Sequence, residues 1–182
     1  MQRIHAVFAA ALIAAWLFPV PQAVAQTKDI IDGSVRDALT QFIQLDRRHE
    51  RLVSNAAGIL VFPQVTKGGI ALAGEYGEGA LQVNGATVDY YSIASASVGL
   101  TAGMATHAEI ILFITPDALR KFVDSRGWSI GADTSVAVIS KGMSGDYDSA
   151  TLKQPILVFV FGEKGLMADL SLSGSKINKI NK

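Results

Sequence analysis

The chain has 182 residues with 16 basic and 16 acidic side chains, so its formal net charge is zero, and it contains no cysteine. A neutral chain has no overall field that attracts nucleic acid, which excludes the strongly basic class of nucleic-acid-binding proteins. The lack of cysteine excludes disulfides, zinc–thiolate sites and cysteine nucleophiles, so stability must come from packing.

The first 25 residues have the pattern of a cleavable export signal. Arg3 gives a positive start, residues 6–18 are apolar but too few to span a bilayer comfortably, and Ala23-Val24-Ala25 matches the small-residue cleavage site. We therefore expect residues 1–25 to be a signal peptide and Gln26 to begin the mature chain. Since no cysteine follows to be acylated, we expect an exported protein, periplasmic or extracellular, without a lipid anchor.

The region after the signal is typical of one domain. Removal of residues 1–25 leaves 157 residues, with 15 basic against 16 acidic side chains. That length suffices for one hydrophobic core, and no repeat, low-complexity stretch or linker divides residues 26–182.

Residues 30–53 carry the clearest helical pattern. Side chains that recur at intervals of three and four form one stripe: Ile31, Val35, Ala38, Phe42, Leu45, His49 and Leu52. Ser34 with Asp37 resembles a capping box, which favours a helix start at Ser34. His49 is predicted to be a partly buried core histidine and not a metal ligand, because no second ligand stands four residues later.

The stripe supports two interpretations of this helix. In the first, the helix packs on a sheet. In the second, it lies on a membrane surface, where Arg47, Arg48 and Arg51 face lipid phosphates. The two are compatible if one side packs and the other side exposes the arginines.

Residues 56–103 predict a β-meander. The segment contains only four charged residues, which are Lys67, Glu75, Glu78 and Asp89. Residues 58–62 form an apolar run that Pro63 is expected to stop. Asn84-Gly85 lies between two strand-like runs and favours a type I′ hairpin turn, which needs positive φ at both central residues.

Glycine is dense within this meander at residues 74–79, with the pattern G-x-Y-G-E-G. Glycines this frequent inside a strand favour a bulge or a sharp bend, with Gly77 at positive φ. A phosphate-binding loop is the alternative, but no helix follows whose N-terminus would hold an anion. Residues 92–103 alternate small side chains on both faces, which suits a tight barrel corner or space for an acyl chain.

The rest of the chain predicts strands and one short helix. An apolar strand over residues 109–115 is followed by Thr115 as a helix cap, Pro116 in the first turn and Gly127 at the helix end. Further strands are predicted over residues 134–140, 156–161 and 166–172, with a polar loop over residues 141–149.

Together these elements predict an α+β fold with roughly eight strands, one long N-terminal helix and one short helix. Short turns between consecutive strands imply an antiparallel sheet. Three apolar runs, at residues 58–62, 110–114 and 156–161, need cover on both faces. We therefore predict a curved antiparallel sheet or barrel-like meander that the long helix caps.

Candidate catalytic residues are few. His107 and Glu109 share a strand face and suit acid–base chemistry, although such pairs also occur for solvation alone. The serines of residues 94–97 lack the strand-turn-helix context of a nucleophile elbow. We therefore expect no catalytic site, no metal and no cofactor.

Further basic residues are candidate lipid contacts. Lys176, Lys179 and Lys182 recur every third residue near the C-terminus, either as gatekeepers of an edge strand or as a cationic rim. Lys67 is predicted to lie on a turn, where it joins either basic set. With Arg47, Arg48 and Arg51, these four lysines complete the predicted lipid-binding residues.

The order of five segments resembles the SYLF-domain family. The segments are Gly58–Pro63, Gly74–Gly79, Tyr90–Gly99, Gly127-Trp128 with Gly131–Asp133, and Phe161–Leu166. The resemblance runs from about Ala56 to the C-terminus and implies a module that binds phosphoinositides and actin, followed in several eukaryotic members by a Src-homology domain. It also implies a lipid-binding amphipathic helix at the start of the domain, which residues 34–53 match in position.

We therefore expect a non-enzymatic module that binds anionic phospholipid at a membrane surface of the cell envelope. Phosphatidylinositol-type binding is what the resemblance implies, but an exported chain does not meet cytosolic actin or phosphoinositides. A periplasmic structural module that binds an envelope protein through a sheet edge is one alternative. A hydrolase that uses His107 and Glu109 is the other, and nucleic acid is not an expected partner.

Overall fold

The structure is a computed structural model that describes residues 26–70, 72–98, 103–130, 135–139, 153–162, 165–166 and 174–182. The predicted signal peptide and the polar loop predicted at residues 141–149 lie outside the described residues. So does all but Leu166 of the strand predicted at residues 166–172.

Three helices and nine strands make up the described chain. The helices are α1 (Lys28–Leu45), α2 (Arg47–Asn55) and α3 (Pro116–Asp124). The strands are β1 (Gly58–Ile70), β2 (Leu72–Val83), β3 (Ala86–Val98), β4 (Gly103–Phe113), β5 (Trp128–Ser129), β6 (Val136–Ile139), β7 (Ile156–Gly162), β8 (Gly165–Leu166) and β9 (Lys176–Ile180).

The strands form one curled, half-barrel sheet in the order β5-β9-β3-β2-β1-β4-β7-β6, and β8 pairs with β7. This confirms the predicted α+β fold with a curved sheet. The one departure from the predicted antiparallel pattern is β6, which runs parallel to β7. None of the described helices is both long enough and apolar enough to span a membrane.

Each face of the sheet has its own hydrophobic core. On the helical face, Phe42 of α1 packs with strand residues that include Val61, Ile110 and Phe159. On the inner face, Phe122 of α3 and Trp128 of β5 pack with strand residues that include Phe113. The predicted double-sided cover is confirmed, because residues 58–62, 110–113 and 156–161 are all buried.

The prediction of one long N-terminal helix is wrong in one respect, because the helix breaks at Asp46. That residue has the extended backbone angles φ −157° and ψ 130°, so α1 ends at Leu45 and α2 begins at Arg47. The apolar periodicity continues across the break, which is why the sequence pattern does not show it.

The start of α1 also differs from the prediction. The helix begins at Lys28, six residues before Ser34, and passes through Gly33. Asp32 accepts hydrogen bonds from the hydroxyl groups of Thr87 and Tyr90 at 2.9 and 3.0 Å, and Ile31 is fully buried. These contacts hold the first turns of α1 on the sheet and outweigh the low helix propensity of glycine.

Pro63 does not stop its strand, contrary to the prediction, because β1 continues to Ile70 through a β-bulge. The pairing of β1 with β2 shifts between Val61 and Gln64, and the shift lies opposite Gly79. A β-carbon on Gly79 would stand 2.0 Å from the Val61 carbonyl oxygen. The bulge accommodates Pro63, which has no backbone N–H group. Gly79 has no side chain, so the backbone of β1 at Val61 can approach it closely.

The predicted positive φ at Gly77 is wrong, since the described glycines with positive φ are Gly85, Gly127 and Gly174. Gly77 is instead a close-approach position, where a β-carbon would lie 2.8 Å from the Gln64 carbonyl oxygen. The predicted hairpin turn is confirmed, with φ 52° at Asn84 and 77° at Gly85.

The cap of the short helix is also confirmed. The hydroxyl oxygen of Thr115 accepts a hydrogen bond from the Ala118 amide at 3.2 Å, and Pro116 lies in the first turn of α3. The small-residue segment at residues 92–103 is described only to Val98, where β3 ends, and again from Gly103.

Candidate functional site

The corner between α1 and α2 brings three of the predicted lipid contacts together. We call residues 45–51 the helical corner. Oδ1 of Asp46 accepts a hydrogen bond from the Arg48 backbone amide at 2.8 Å, so Asp46 caps α2. The residue that breaks the helix therefore also starts the next one.

Arg48 is tied to this cap through its side chain. Its Nε donates to Oδ2 of Asp46 at 2.9 Å. Hydrogen bonds from the side chain and backbone of Arg48 lower the pKa of Asp46 from 3.8 to about 2. The carboxylate is therefore charged at physiological pH and offsets much of the Arg48 charge at this corner.

His49 holds α2 against α1. The side chain is fully buried, and its ring stacks on the Phe42 ring with centroids 3.9 Å apart. Its Nδ1 lies 2.6 Å from the Phe42 carbonyl oxygen, and since a carbonyl only accepts, Nδ1 carries the proton and donates. This carbonyl lies in the last turn of α1, where helical partners are missing. The prediction of a satisfied core histidine is confirmed.

Arg47 and Arg51 point away from the protein. They stand four residues apart on α2, both are exposed, and His49 lies on the opposite, buried side of the helix. Leu45 is 43% exposed, although the sequence stripe predicts it to be buried. His49 occupies the space beside Phe42, and Leu45 remains uncovered at the end of α1.

The helical corner therefore combines an exposed leucine with a small excess of positive charge. It contains three arginines against Asp46 and Glu50. Burial lowers the pKa of His49 below its ordinary 6.5, so the imidazole adds no charge near pH 7. The helical corner therefore has a net charge of +1, on a protein whose overall charge is close to zero.

Lys67 is not near this corner. It lies inside β1 and not on a turn, and by strand alternation it shares the inner face with Val65, whereas α1 and α2 cover the helical face. Its Nζ is 3.0 Å from Oε1 of Glu75, and Oε2 of that carboxylate accepts from the Ser95 hydroxyl at 2.9 Å. The structure therefore places Lys67 in an ion pair within the curled sheet.

The three lysines of the C-terminal tail do not form one rim. Alternation along β9 puts Lys176 and Lys179 on opposite faces, and Lys179 pairs with Asp89 at 2.6 Å. The Lys182 side chain is 9% exposed and its Nζ lies 2.7 Å from Oε2 of Glu78. The strand is not a plain sheet edge, because β9 lies between β5 and β3.

His107 and Glu109 do share a strand face, with Nε2 and Oε1 3.0 Å apart. Their side chains are only 1% and 0% exposed, which separates the pair from any substrate in solution. Burial raises the pKa of Glu109, partly offset by the hydrogen bond from His107. Among the described residues, no group of three or more histidine or acidic side chains is arranged to hold a metal ion.

A cleft of about 210 Å³ lies between α3 and the strands β5 and β7. Phe122, Trp128 and Ile156 line its apolar part, and Asp117 and Lys121 lie among its polar lining residues. Ligand pockets usually measure about 300–1,000 Å³, so this cleft is small for a lipid or a cofactor. The helical corner is the stronger candidate site.

Two features of the surface escape sequence reasoning. The exposure of Leu45 depends on the break at Asp46, for which the only sequence signal is an aspartate followed by two arginines. The burial of Lys182 depends on Glu78, which is 104 residues away in the chain. The glycine-rich motif around Glu78 marks the position but does not indicate its partner.

One of the sequence comparisons identifies a family. Residues 94–182 match the Ysc84 family, whose description is Las17-binding protein actin regulator. No curated protein matches the chain. The matched region begins within β3 and includes α3 and β9, and Ysc84 is the SYLF-domain family. The match covers residues 94–182 of the 182-residue chain and is consistent with a member of the SYLF-domain family.

Proposed function

We propose that this protein is an exported, non-enzymatic SYLF-domain module that binds anionic phospholipid in the cell envelope through its helical corner. The observation that carries the proposal is the exposure of Leu45 together with Arg47 and Arg51. An apolar side chain flanked by arginines suits a membrane interface, where the leucine enters the acyl boundary and the guanidinium groups meet phosphates.

The expected strength of this contact is moderate. Each basic residue at an anionic surface contributes about 1 kcal/mol, and a fully buried leucine about 1.5–3 kcal/mol. Because Leu45 is 43% exposed, it gains about half of this on burial, so with the two arginines the contact changes partitioning by about two orders of magnitude, since 1.4 kcal/mol is tenfold. The attraction is local, because the Debye length is about 8 Å at physiological salt and the net charge of the protein is near zero.

The rigidity of the corner supports the same proposal. Asp46 fixes the start of α2 and His49 fixes α2 against Phe42, so the backbone that carries the exposed side chains needs little ordering on binding. The export pattern of residues 1–25 supports a location outside the cytosol. Arginine recognises the phosphate group, so the proposal covers anionic lipids in general, including phosphatidylinositol types.

Co-sedimentation with vesicles tests the proposal. We expect binding to phosphatidylcholine vesicles that contain phosphatidylglycerol and poor binding to phosphatidylcholine alone. The double variant Arg47→Gln/Arg51→Gln should weaken binding and flatten its salt dependence. The matched control is Arg120→Gln/Arg126→Gln, which removes the same charge at exposed positions in and just after α3, on the inner side.

A second pair of variants tests the apolar contact. Leu45→Ser should weaken binding, whereas Val123→Ser, at a residue of α3 with a similar exposure of 45%, should leave it unchanged. If the Arg47/Arg51 variant and Leu45→Ser bind anionic vesicles as tightly as the native protein at low salt, the helical corner is not the lipid site.

A protein partner is the second candidate function. The family description names binding to a protein and regulation of actin. In the sheet order of the described strands, β6 comes last, and Val138 on it is 41% exposed. An edge strand offers unpaired backbone groups to a partner strand. An envelope protein that stays bound after delipidation, and that Val138→Lys releases, would favour this function over lipid binding.

A further inference from the structure

Glu78 is the centre of a partly buried cluster that joins residues 26 and 182. Its Oε2 accepts a hydrogen bond from Lys182 Nζ at 2.7 Å and another from the Gln26 backbone nitrogen at 3.2 Å. Its Oε1 accepts from the Tyr76 hydroxyl at 3.0 Å. We call Gln26, Glu78 and Lys182 the terminal cluster.

The cluster holds residue 26 from both sides. Lys182 Nζ also donates to the Gln26 carbonyl oxygen at 3.0 Å, so both backbone polar groups of Gln26 are bound. The side chains of Glu78 and Lys182 are only 10% and 9% exposed. Burial opposes ionisation of Glu78, but hydrogen bonds from Lys182 and Tyr76 outweigh it and lower the pKa of the carboxyl group.

The residue held in this way is the one predicted to become the N-terminus. Cleavage after Ala25 converts the Gln26 amide into an α-ammonium group with a positive charge and additional N–H donors. We infer that Glu78 is a binding site for this α-ammonium group, so that removal of residues 1–25 creates an ion pair that the precursor lacks. The inference rests on the export part of the proposed function.

The chemistry favours the cleaved form. In the precursor, Glu78 receives one charged donor, Lys182, and two neutral donors, the Gln26 amide and the Tyr76 hydroxyl. After cleavage it receives two charged donors in a poorly solvated place, and charge-assisted hydrogen bonds are roughly twice as strong as neutral ones. Processing therefore tightens the attachment of residues 26 and 182 to β2, and the G-x-Y-G-E-G segment supplies the carboxylate that does so.

Three forms of the chain with defined N-termini test the inference. The first begins at Gln26 with a free α-amine, the second is the same chain with an acetylated α-amine, and the third carries Gly-Ser before Gln26. We expect the free form to unfold about 3 °C above the other two at pH 6.5, where the α-amine is protonated. Mass spectrometry checks that Gln26 has not cyclised.

The pH dependence separates a charge effect from a change of length. An α-amine has an ordinary pKa of about 7.7–8.0, and an ion pair with Glu78 raises it. The advantage of the free form is therefore fully present below about pH 7.5 and is lost as the pH rises through the raised value. The other charged and titratable groups at the site, Lys182 and Tyr76, are present in all three forms and cancel in the comparison.

Glu78→Gln gives the decisive control. In this variant the difference between free and acetylated forms should disappear. Equal midpoints for the three native forms at pH 6.5, or a difference that persists undiminished in Glu78→Gln, would overturn the inference. If Glu78→Gln does not fold, the pH dependence within the native sequence decides in its place.

The outcome is independent of lipid binding. All three forms should bind anionic vesicles equally, because the helical corner does not include the terminal cluster. Equal unfolding midpoints with intact vesicle binding would therefore overturn only this inference. Recovery of the protein from its own cells with Met1 still present would overturn its premise of cleavage.

Discussion

His49 and Phe42 are joined twice, by the stacked rings with centroids 3.9 Å apart and by the hydrogen bond from Nδ1 to the Phe42 carbonyl oxygen. Phe42 also contacts Phe159 of β7 edge to face, with centroids 4.8 Å apart. This pair of residues therefore links α2 to α1 and α1 to the sheet. The orientation of the helical corner follows from it.

The burial of His49 against Phe42 predicts how the free energy of unfolding depends on pH. Burial lowers the pKa of His49 in the folded chain below 6.5, so between these two values the unfolded chain binds more protons. The contribution of His49 to the free energy of unfolding is therefore fully present above about pH 6.5 and decreases as the pH falls through the folded value. Urea unfolding between pH 5 and about pH 8 measures this.

The variant His49→Asn tests the assignment. Its side-chain amide can donate to the Phe42 carbonyl oxygen but does not titrate and cannot stack in the same way. We expect a loss of roughly 1–3 kcal/mol at pH 7.5 and a flatter pH dependence than in the native protein. An unchanged slope in His49→Asn would show that the pH dependence does not come from His49.

Gly79 predicts a large, position-specific effect. Gly79→Ala should destabilise the protein by about 2–4 kcal/mol, because the new β-carbon would meet the Val61 carbonyl oxygen and the bulge at Pro63 would have to shift. Gly74→Ala is the control in the same strand, since its β-carbon would stand 3.8 Å from the nearest backbone oxygen. Similar melting temperatures for the two variants would contradict the close approach at Gly79.

The sequence predicts those parts of the fold that depend on local contacts and misses those that depend on another strand. The buried stripe from Ile31 to Phe42, the hairpin at Asn84-Gly85 and the cap at Thr115 depend on neighbours within a few residues, so local patterns predict them. The continuation of β1 through Pro63 depends on Gly79 in another strand. A local pattern contains no information about that partner, and the strand was predicted to stop.

In the candidate site, too, the sequence predicts some residues correctly and misses others. Arg47 and Arg51 are found by the sequence because exposed arginines lie off the apolar stripe. The exposure of Leu45 is not found, because the break at Asp46 leaves the apolar period intact. The sequence predicts Lys67 on a turn and Lys182 as a gatekeeper or part of a cationic rim, but the sheet places each beside a carboxylate of β2, at Glu75 and Glu78.

The Asp46 cap is expected to stabilise α2 in a pH-dependent way. Asp46→Ala should cost about 1 kcal/mol through loss of the cap, and should also remove the hydrogen bonds that Asp46 accepts from Arg48. Because the pKa of Asp46 is lowered to about 2, its contribution is present above about pH 4 and is lost as the pH falls through 2. Acid unfolding followed by circular dichroism measures this, and Asp46→Asn, which keeps a capping oxygen, is the control. Should Asp46→Ala and Asp46→Asn unfold alike, the cap does not stabilise α2.

Lys67 predicts an effect on stability without an effect on lipid binding. Its ion pair with Glu75 lies on the inner face, where the side chains are 22% and 6% exposed. Glu75→Gln leaves the ammonium group of Lys67 in a poorly solvated place without its counter-charge, and should cost roughly 1–3 kcal/mol. Lys67→Met keeps the apolar stem but leaves the more deeply buried carboxylate of Glu75 without its counter-charge, with only the hydrogen bond from Ser95, so a loss of at least similar size is expected. Thermal unfolding of both single variants and of the double variant gives the coupling energy of the pair.

The same variants should bind anionic vesicles as the native protein does, because Lys67 and the arginines of the helical corner lie on opposite faces of the sheet. A Lys67→Met protein that folds normally but binds vesicles more weakly would return Lys67 to the lipid site.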